Sequence, residues 1–520
     1  MNKLTTRSWI ARLRFPVISL VLLCAVYGAS LNGNFLKWDD DRFVQNNPHV
    51  SELSVSNIQW AFSDLRFESY QPLHMISYMF DGSFWAGKPI GYKIHNLVLL
   101  YLAGLLLFSL LRKMTGAEWA AVAGTALFLA APHRVESVAW ISARKDVLAL
   151  VLALLVWHVH LIEPEKTWRF WMLRAAELLL FGLALLSKSS VFVLPFMILV
   201  ADVAIRRRSA VRSLAGCALP IVVAVGVAVF LPMLWAKSQL VNADAPKDTL
   251  SRIGLVCWSA GHYIRSIVWP FSLSPLYAAP PFESLRMWAF GGMAIGVGGI
   301  VLSVRFRHVL HKYFSFIGAL LMVAFALAPF LNVVPMYYWV ADRYLLFPSV
   351  GVSVLVALAI AAIEKRAAPL PQRMVLVSLV VLVVGILSWR SAVDAMQWKQ
   401  SDTMFELAVK RQPNSFWAHM KLGEVLRDAK KYAASEEQYR EARRIRPLSP
   451  SALGGVYWTA FAQDISEHPE LGAVDAENVT GYFVHIASSP PQLRRLLEKL
   501  KQTRCHRAAS VVQERLDEMR

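Results

Sequence analysis

Three consecutive carboxylates, Asp39, Asp40 and Asp41, follow Trp38 in the stretch NFLKWDDDRFVQNNPHV. An apolar run, FPVISLVLLCAVYGAS, ends a few residues before them. In a strand or loop, neighbouring side chains point different ways. One acid of the Asp39–Asp40 pair can then act as a general base while the other positions a metal ion or a main-chain group. A solvated loop would explain the same acids without chemistry. Four more clusters set charge among apolar or aromatic residues. APHRVESVAWISARKDVLA carries His133, Arg134, Glu136, Arg144, Lys145 and Asp146; LLSKSS places Lys188 between two apolar runs. GHYIRSIVW has His262 and Arg265 three residues apart, one face of a helix. MYYWVADRYLLFPS sets Asp342 and Arg343 beside Tyr337, Tyr338, Trp339 and Tyr344. Arginine grips phosphate with a two-pronged fork, whereas lysine acts as a point charge. These cations suit an anionic partner such as a lipid-linked phosphate; Arg144, Lys145 and Lys188 would equally serve as simple anchors at a membrane interface.

The elements that must position these residues are membrane helices. The chain has 520 residues, 56% hydrophobic and only 17% charged, against about 25% charged in soluble domains. Its apolar residues gather in runs of roughly 16 to 22, the length that crosses a hydrocarbon core. The fold class is therefore all-α and polytopic. The net charge of +18 is spread in small clusters between apolar runs, as topology signals are, which argues against a nucleic-acid partner. The four cysteines have no ligand spacing, so neither a disulfide framework nor a zinc site is expected. The basic start MNKLTTRSWIARLR followed by an apolar run reads as a retained first span.

Placing every basic cluster in the cytoplasm gives eleven spans, near 15–31, 93–111, 117–132, 147–162, 172–187, 189–205, 214–235, 286–304, 313–331, 344–362 and 374–390. The apolar segment 253–270 does not fit this alternation and reads as re-entrant or interfacial, broken near Pro270 and Pro275. The N-terminus is then cytoplasmic. The stretches 32–92, 133–146, 236–285, 332–343 and everything after about 391 lie outside, and this places all five clusters on one membrane face. Trp38 suits headgroup depth there. Acids beside phosphate-binding cations at a membrane surface are what a polyprenyl-phosphate sugar transferase needs: a base for the acceptor hydroxyl and cations, or a metal, for the departing phosphate.

Past Trp398 charge rises. FELAVKRQP and YREARRIRP match at an offset of 34, pairing Phe405 with Tyr439, Ala408 with Ala442 and Pro413 with Pro447. That is the period of a tetratricopeptide repeat, with Leu422 and Gly423 where its first helix needs a leucine and a small residue. So few repeats are marginal alone, and docking on the membrane domain is expected. The sequon at Asn478 is read as chance.

Taken together and in order, WDDDRF, QPLHMISYMF, HRVESVAWISARKDVL, LLSKSS, ADRYLLFPSVG and the following repeat resemble the transmembrane, tetratricopeptide-containing O-mannosyltransferases and their bacterial relatives, members of the GT-C superfamily. The resemblance runs from about residue 15 to 447. It implies a GT-C catalytic domain over 1–392, with a long first loop at 32–92, and a helical repeat domain over 393–520. The donor it implies is a polyprenyl-phosphate-linked sugar, used on the non-cytoplasmic face; animal members carry many repeats and this chain only about one and a half, a departure that points to a bacterial inner membrane. It also implies Asp39 as base, Asp40 as supporting or metal-binding acid (Mg or Mn) and Glu136 as a further site acid. Donor phosphate would meet Arg343, Lys188, Arg144, Lys145 and Arg265. Trp38, His133, His262, Asp342 and Tyr344 would line the substrate pocket. The repeats favour a protein acceptor; the alternatives are a glycolipid, lipopolysaccharide or cell-wall glycan acceptor, and a non-catalytic membrane scaffold.

Overall fold

The computed structural model describes residues 3–64, 70–237, 245–365, 370–447, 449–467, 489–502 and 505–519. Asn478 and part of the 236–285 stretch lie outside them. Among the described residues the regular structure is helical and contains no β-strand. Five helices are long and apolar enough to cross a membrane: Pro89–Thr115, Thr167–Ser187, Ala210–Phe230, Phe282–Arg305 and Pro371–Gln397. Five shorter apolar helical segments accompany them, Arg14–Ser30, Glu118–Ala130, Ser189–Ile205, Phe314–Phe330 and Pro348–Glu364. The segment expected at 147–162 falls on the helix Arg144–His160, which begins with Arg144, Lys145 and Asp146.

The chain divides into two compact units, one of residues 1–273 and 280–399 and the other of 274–279 and 400–520. The apolar helices all belong to the first. Their ends are set locally. Gly116, with φ +68°, closes Pro89–Thr115 by donating its N–H to Arg112, a left-handed conformation that glycine adopts without strain. Asp248 caps Thr249–Val268 by accepting from Ser251 N at 2.9 Å. This helix runs unbroken through 253–268 and ends at Trp269, just before Pro270, where the sequence places the break, and it packs along Phe282–Arg305.

The first loop is folded. Asn47 and Ser54 cap short helices at Pro48–Val50 and Val55–Ser63, and Pro72 starts Pro72–Trp85. Val44, Val50, Ala61, Met75, Tyr78, Met79 and Tyr92 form a core closed by Ile141. Apolar burial thus ties the acid-bearing loop to the 131–149 segment.

In the second unit, Ser401–Arg411, Phe416–Asp428, Tyr432–Ile445 and Pro450–Glu467 pack in succession. Tyr439 is buried between two helices that approach it through glycines. A Cβ on Gly423 would lie 3.1 Å from its ring, and one on Gly455 closer still. The two glycines let their helices come up against the faces of the Tyr439 ring.

Candidate active site

Asp40 is fully buried and works as a staple. Its Oδ2 accepts from Leu36 N at 2.9 Å, closing its own loop. Its Oδ1 accepts from Ser142 N at 2.9 Å and from the Ser142 hydroxyl, fixing that loop to the 131–149 segment. Burial raises its carboxyl to about 6; the three hydrogen bonds oppose that rise and the Asp39 charge adds to it. These three donors take up three of the about four lone-pair positions of the carboxylate, and no three His, Cys, Asp or Glu side chains gather into a metal set among the described residues. The residues present therefore do not fit a metal at Asp40. Asp39 is only half-buried, and its charge acts on the Tyr338 hydroxyl as well as on Asp40. Asp41 accepts from Arg42 N at 2.9 Å.

Beside these acids stands an aromatic wall. Trp38 stacks on Trp140 with ring centroids 4.4 Å apart and continues to Trp398 at 6.3 Å. Its indole N–H donates to the Tyr338 hydroxyl at 3.1 Å. Trp38 is 6% exposed. Its ring therefore packs against protein, between Trp140 and Trp398.

The wall holds Arg343. Its guanidinium lies 4.9 Å from the Tyr344 ring, 5.3 Å from Trp140, 5.8 Å from Tyr338 and 5.9 Å from Trp38. Glu136 anchors it, accepting from Arg343 N at 2.9 Å and forming an ion pair with Nη1. Burial works against the charge, but Glu136, Tyr344 and Tyr338 outweigh it and hold the guanidinium protonated. Both Glu136 oxygens are therefore committed to Arg343, so in this arrangement the carboxylate positions a cation and is no free base.

Lys188 follows directly on the helix Thr167–Ser187. It pairs with Asp146 and lies 5.4 Å from both Phe330 and Tyr344, two rings stacked at 4.4 Å. Lys145 and Arg343 are near enough for their charges to act on it. A pocket of about 10 Å³ opens among Asp146, Lys188, Ser190, Phe330, Arg343 and Tyr344, room for a water-sized group. Two basic side chains here thus have carboxylate partners, Asp146 for Lys188 and Glu136 for Arg343, and burial disfavours the charged form of Lys188.

The structure does not bring the other expected residues into this group. Arg144 is committed elsewhere: it pairs with Asp81 and donates to Asn96 Oδ1 at 2.7 Å, Ser77 O at 3.0 Å and Tyr92 O at 2.9 Å. It is a buried clamp on the helices Pro72–Trp85 and Pro89–Thr115, with four of its five N–H groups spent on protein acceptors. Arg265 is exposed and donates to Ser272 at 3.1 Å. His262 meets Trp258 and Tyr263. His133 is buried against Ser349 at 3.1 Å and held neutral by burial and by the nearby Arg134. Asp342 is buried next to Arg343 in the chain, and its charge acts on Tyr263.

Several residues that build the site had no assigned role from sequence: Ser142, Trp140, Tyr338, Trp398, Asp146 and Lys93. Lys93 is buried at the start of an apolar helix, with Nζ 3.5 Å from Ser30 O and close to Asp40. Its charge in an apolar run is a readable signal; nothing in Ser142 itself marks its role.

The chain is 30% identical to Protein O-mannosyl-transferase Tmtc2 of Drosophila melanogaster over 187 residues, 32% of this chain and 19% of that protein. This shows a distant relationship to Tmtc-like glycosyltransferases, and the match spans about a fifth of that relative's length. No family model and no solved structure matches.

Proposed function

We propose that this chain is an integral-membrane glycosyltransferase that moves a sugar from a polyprenyl-phosphate donor to an acceptor hydroxyl on the non-cytoplasmic face, with a protein as acceptor. The observation that carries this reading is one aromatic wall, Trp38, Trp140, Tyr338 and Tyr344, that lies near both a half-buried acid, Asp39, and the Arg343 guanidinium, with Lys188 and Lys145 close by. Asp39 takes the proton of the acceptor hydroxyl. The hydroxyl oxygen bonds to the anomeric carbon, the bond from that carbon to the phosphate oxygen breaks, and its electron pair leaves on the phosphate. Arg343, kept charged and aimed by Glu136, receives that charge with Lys188. The pocket beside Lys188 is too small for a phosphate while Lys188 pairs with Asp146. Donor binding on this reading exchanges one anionic partner of Lys188 for another. Asp40 holds Asp39 in place.

The name of the relative supports a protein hydroxyl as acceptor. The second unit supports it as well, read as a tetratricopeptide-type domain. Its helices carry a mixed-charge groove of about 730 Å³ lined by His419, Glu436, Glu437, Arg440 and Glu441 among others, a surface suited to a polypeptide segment. Eleven crossings of a bacterial inner membrane, with the N-terminus cytoplasmic and the second unit periplasmic, complete the reading. The test is transfer from defined polyprenyl-phosphate sugars to peptide and to glycan acceptors, with and without chelator. Sugar on the peptide is the expected result; sugar only on the glycan moves the acceptor, and no transfer from any polyprenyl-phosphate sugar rejects the reading.

A further inference from the structure

Arg134 stands apart from this arrangement. It is 1% exposed. The other two buried arginines have carboxylates, Asp81 for Arg144 and Glu136 for Arg343. Among the described residues Arg134 has none; its guanidinium lies 4.2 Å from the Phe128 ring centroid. Its Nε and Nη1 are buried without an acceptor. The Tyr27 hydroxyl, near enough that each group acts electrostatically on the other, is also buried without a partner. A ring face recovers only part of what a buried guanidinium loses on leaving water. Two arginine nitrogens, with three N–H between them, and a phenol O–H have no acceptor beside an uncompensated positive charge, and they are complementary to one anion with several oxygens.

The setting narrows the anion. Tyr27 ends the helix Lys3–Tyr27, which packs against Glu118–Ala130, the helix that carries Phe128. Both are apolar, and the first turns Val17, Ile18 and Val21 outward with more than half of each surface exposed. An anion reaching Arg134 between such helices is best carried on an acyl chain lying along that face. We propose that Arg134 and Tyr27 bind the phosphate of a bilayer phospholipid, separately from the donor pocket at Lys188 and Arg343. The guanidinium forks onto two phosphate oxygens and the Tyr27 hydroxyl donates to one of them. The site does not depend on the catalytic reading.

The test uses the full chain in detergent. Wild type, Arg134→Leu, Arg134→Lys and Arg343→Lys are washed with excess detergent, and bound phospholipid is counted by native mass spectrometry. Each is then melted alone, with phosphatidylglycerol in mixed micelles, and with inorganic phosphate. Wild type and Arg343→Lys should keep one phospholipid per chain and melt higher when phosphatidylglycerol is returned. Arg134→Leu should lose the lipid and the response, yet melt no lower than lipid-free wild type, because it removes an unpaired buried charge. Arg134→Lys should retain part of the response. Protection by inorganic phosphate equal to that by phosphatidylglycerol supports the phosphate site but assigns it to a soluble anion. Unchanged lipid retention in Arg134→Leu overturns the proposal, as does lipid lost from Arg343→Lys alone. So does an Arg134→Leu protein that melts lower than lipid-free wild type with the lipid response intact, since Arg134 would then be purely structural.

Discussion

Removing Glu136 should strand Arg343. In Glu136→Ala the guanidinium loses its ion pair and the Arg343 main-chain N–H loses its 2.9 Å acceptor. Glu136 is 2% exposed and Arg343 8%, so water does not readily replace either. Breaking one side of a buried pair costs about 3–5 kcal/mol. The four ring faces at 4.9–5.9 Å remain and keep the cation from complete isolation, which places the expected loss near the lower end, about 3 kcal/mol. Arg343→Met strands Glu136 instead and should cost about the same. The double variant leaves no unpaired charge, so it should also lose about 3 kcal/mol rather than about 6, a coupling of about 3 kcal/mol. Denaturant unfolding in detergent, followed by tryptophan fluorescence, reads all four proteins, since Trp38 and Trp140 flank the pair. Single losses that add to within about 0.5 kcal/mol of the double would refute the argument that Glu136 exists to hold Arg343.

Two other outcomes follow from the geometry. Asp40 has its carboxyl raised from 3.8 to about 6, so the fold binds its proton more tightly than the unfolded chain does. Any stability this gives is complete below about pH 4 and is lost as pH rises through 6, about 3 kcal/mol in all; the stability of wild type relative to Asp40→Asn should fall by about that amount between pH 4 and 7, and a pH-independent difference would count against the buried carboxylate. In the second unit, Gly455→Ala presses a methyl into the Tyr439 ring and should cost about 1–3 kcal/mol, more than Gly423→Ala, whose Cβ meets that ring at 3.1 Å; equal melting of the two variants would show that Tyr439 yields freely.

Much of the site was legible as residue types and little of it as pairings. Asp39, Asp40, Glu136, Lys188 and Arg343 stand out in sequence because charge is rare next to apolar runs. Their division of labour depends on partners far along the chain. Asp40 is committed by Ser142, 102 residues away, and Arg343 by Glu136, 207 residues away. Arg144 and Lys145 are adjacent and chemically alike, yet Asp81 takes Arg144 out of the candidate site while Lys145 stays near Lys188. No local pattern separates them. Arg265 had the right helical spacing from His262, but spacing fixes a shared face and not what that face meets. The apolar helices were legible because length and hydropathy are local properties. Five of them satisfy both requirements, and the shorter ones depend on neighbours that a window of sequence does not contain.

The claim at the centre is that Asp39 is the base and Asp40 its support. The direct measurement is single-turnover transfer by Asp39→Asn in membranes, with polyprenyl-phosphate donor binding measured on the same preparation. Asparagine keeps the size and removes the basicity, and loss of one positioned base slows transfer about 10²- to 10⁴-fold. The account predicts donor binding at wild-type strength, transfer slowed by that factor, and Asp41→Asn close to wild type. Near-normal turnover by Asp39→Asn would contradict it.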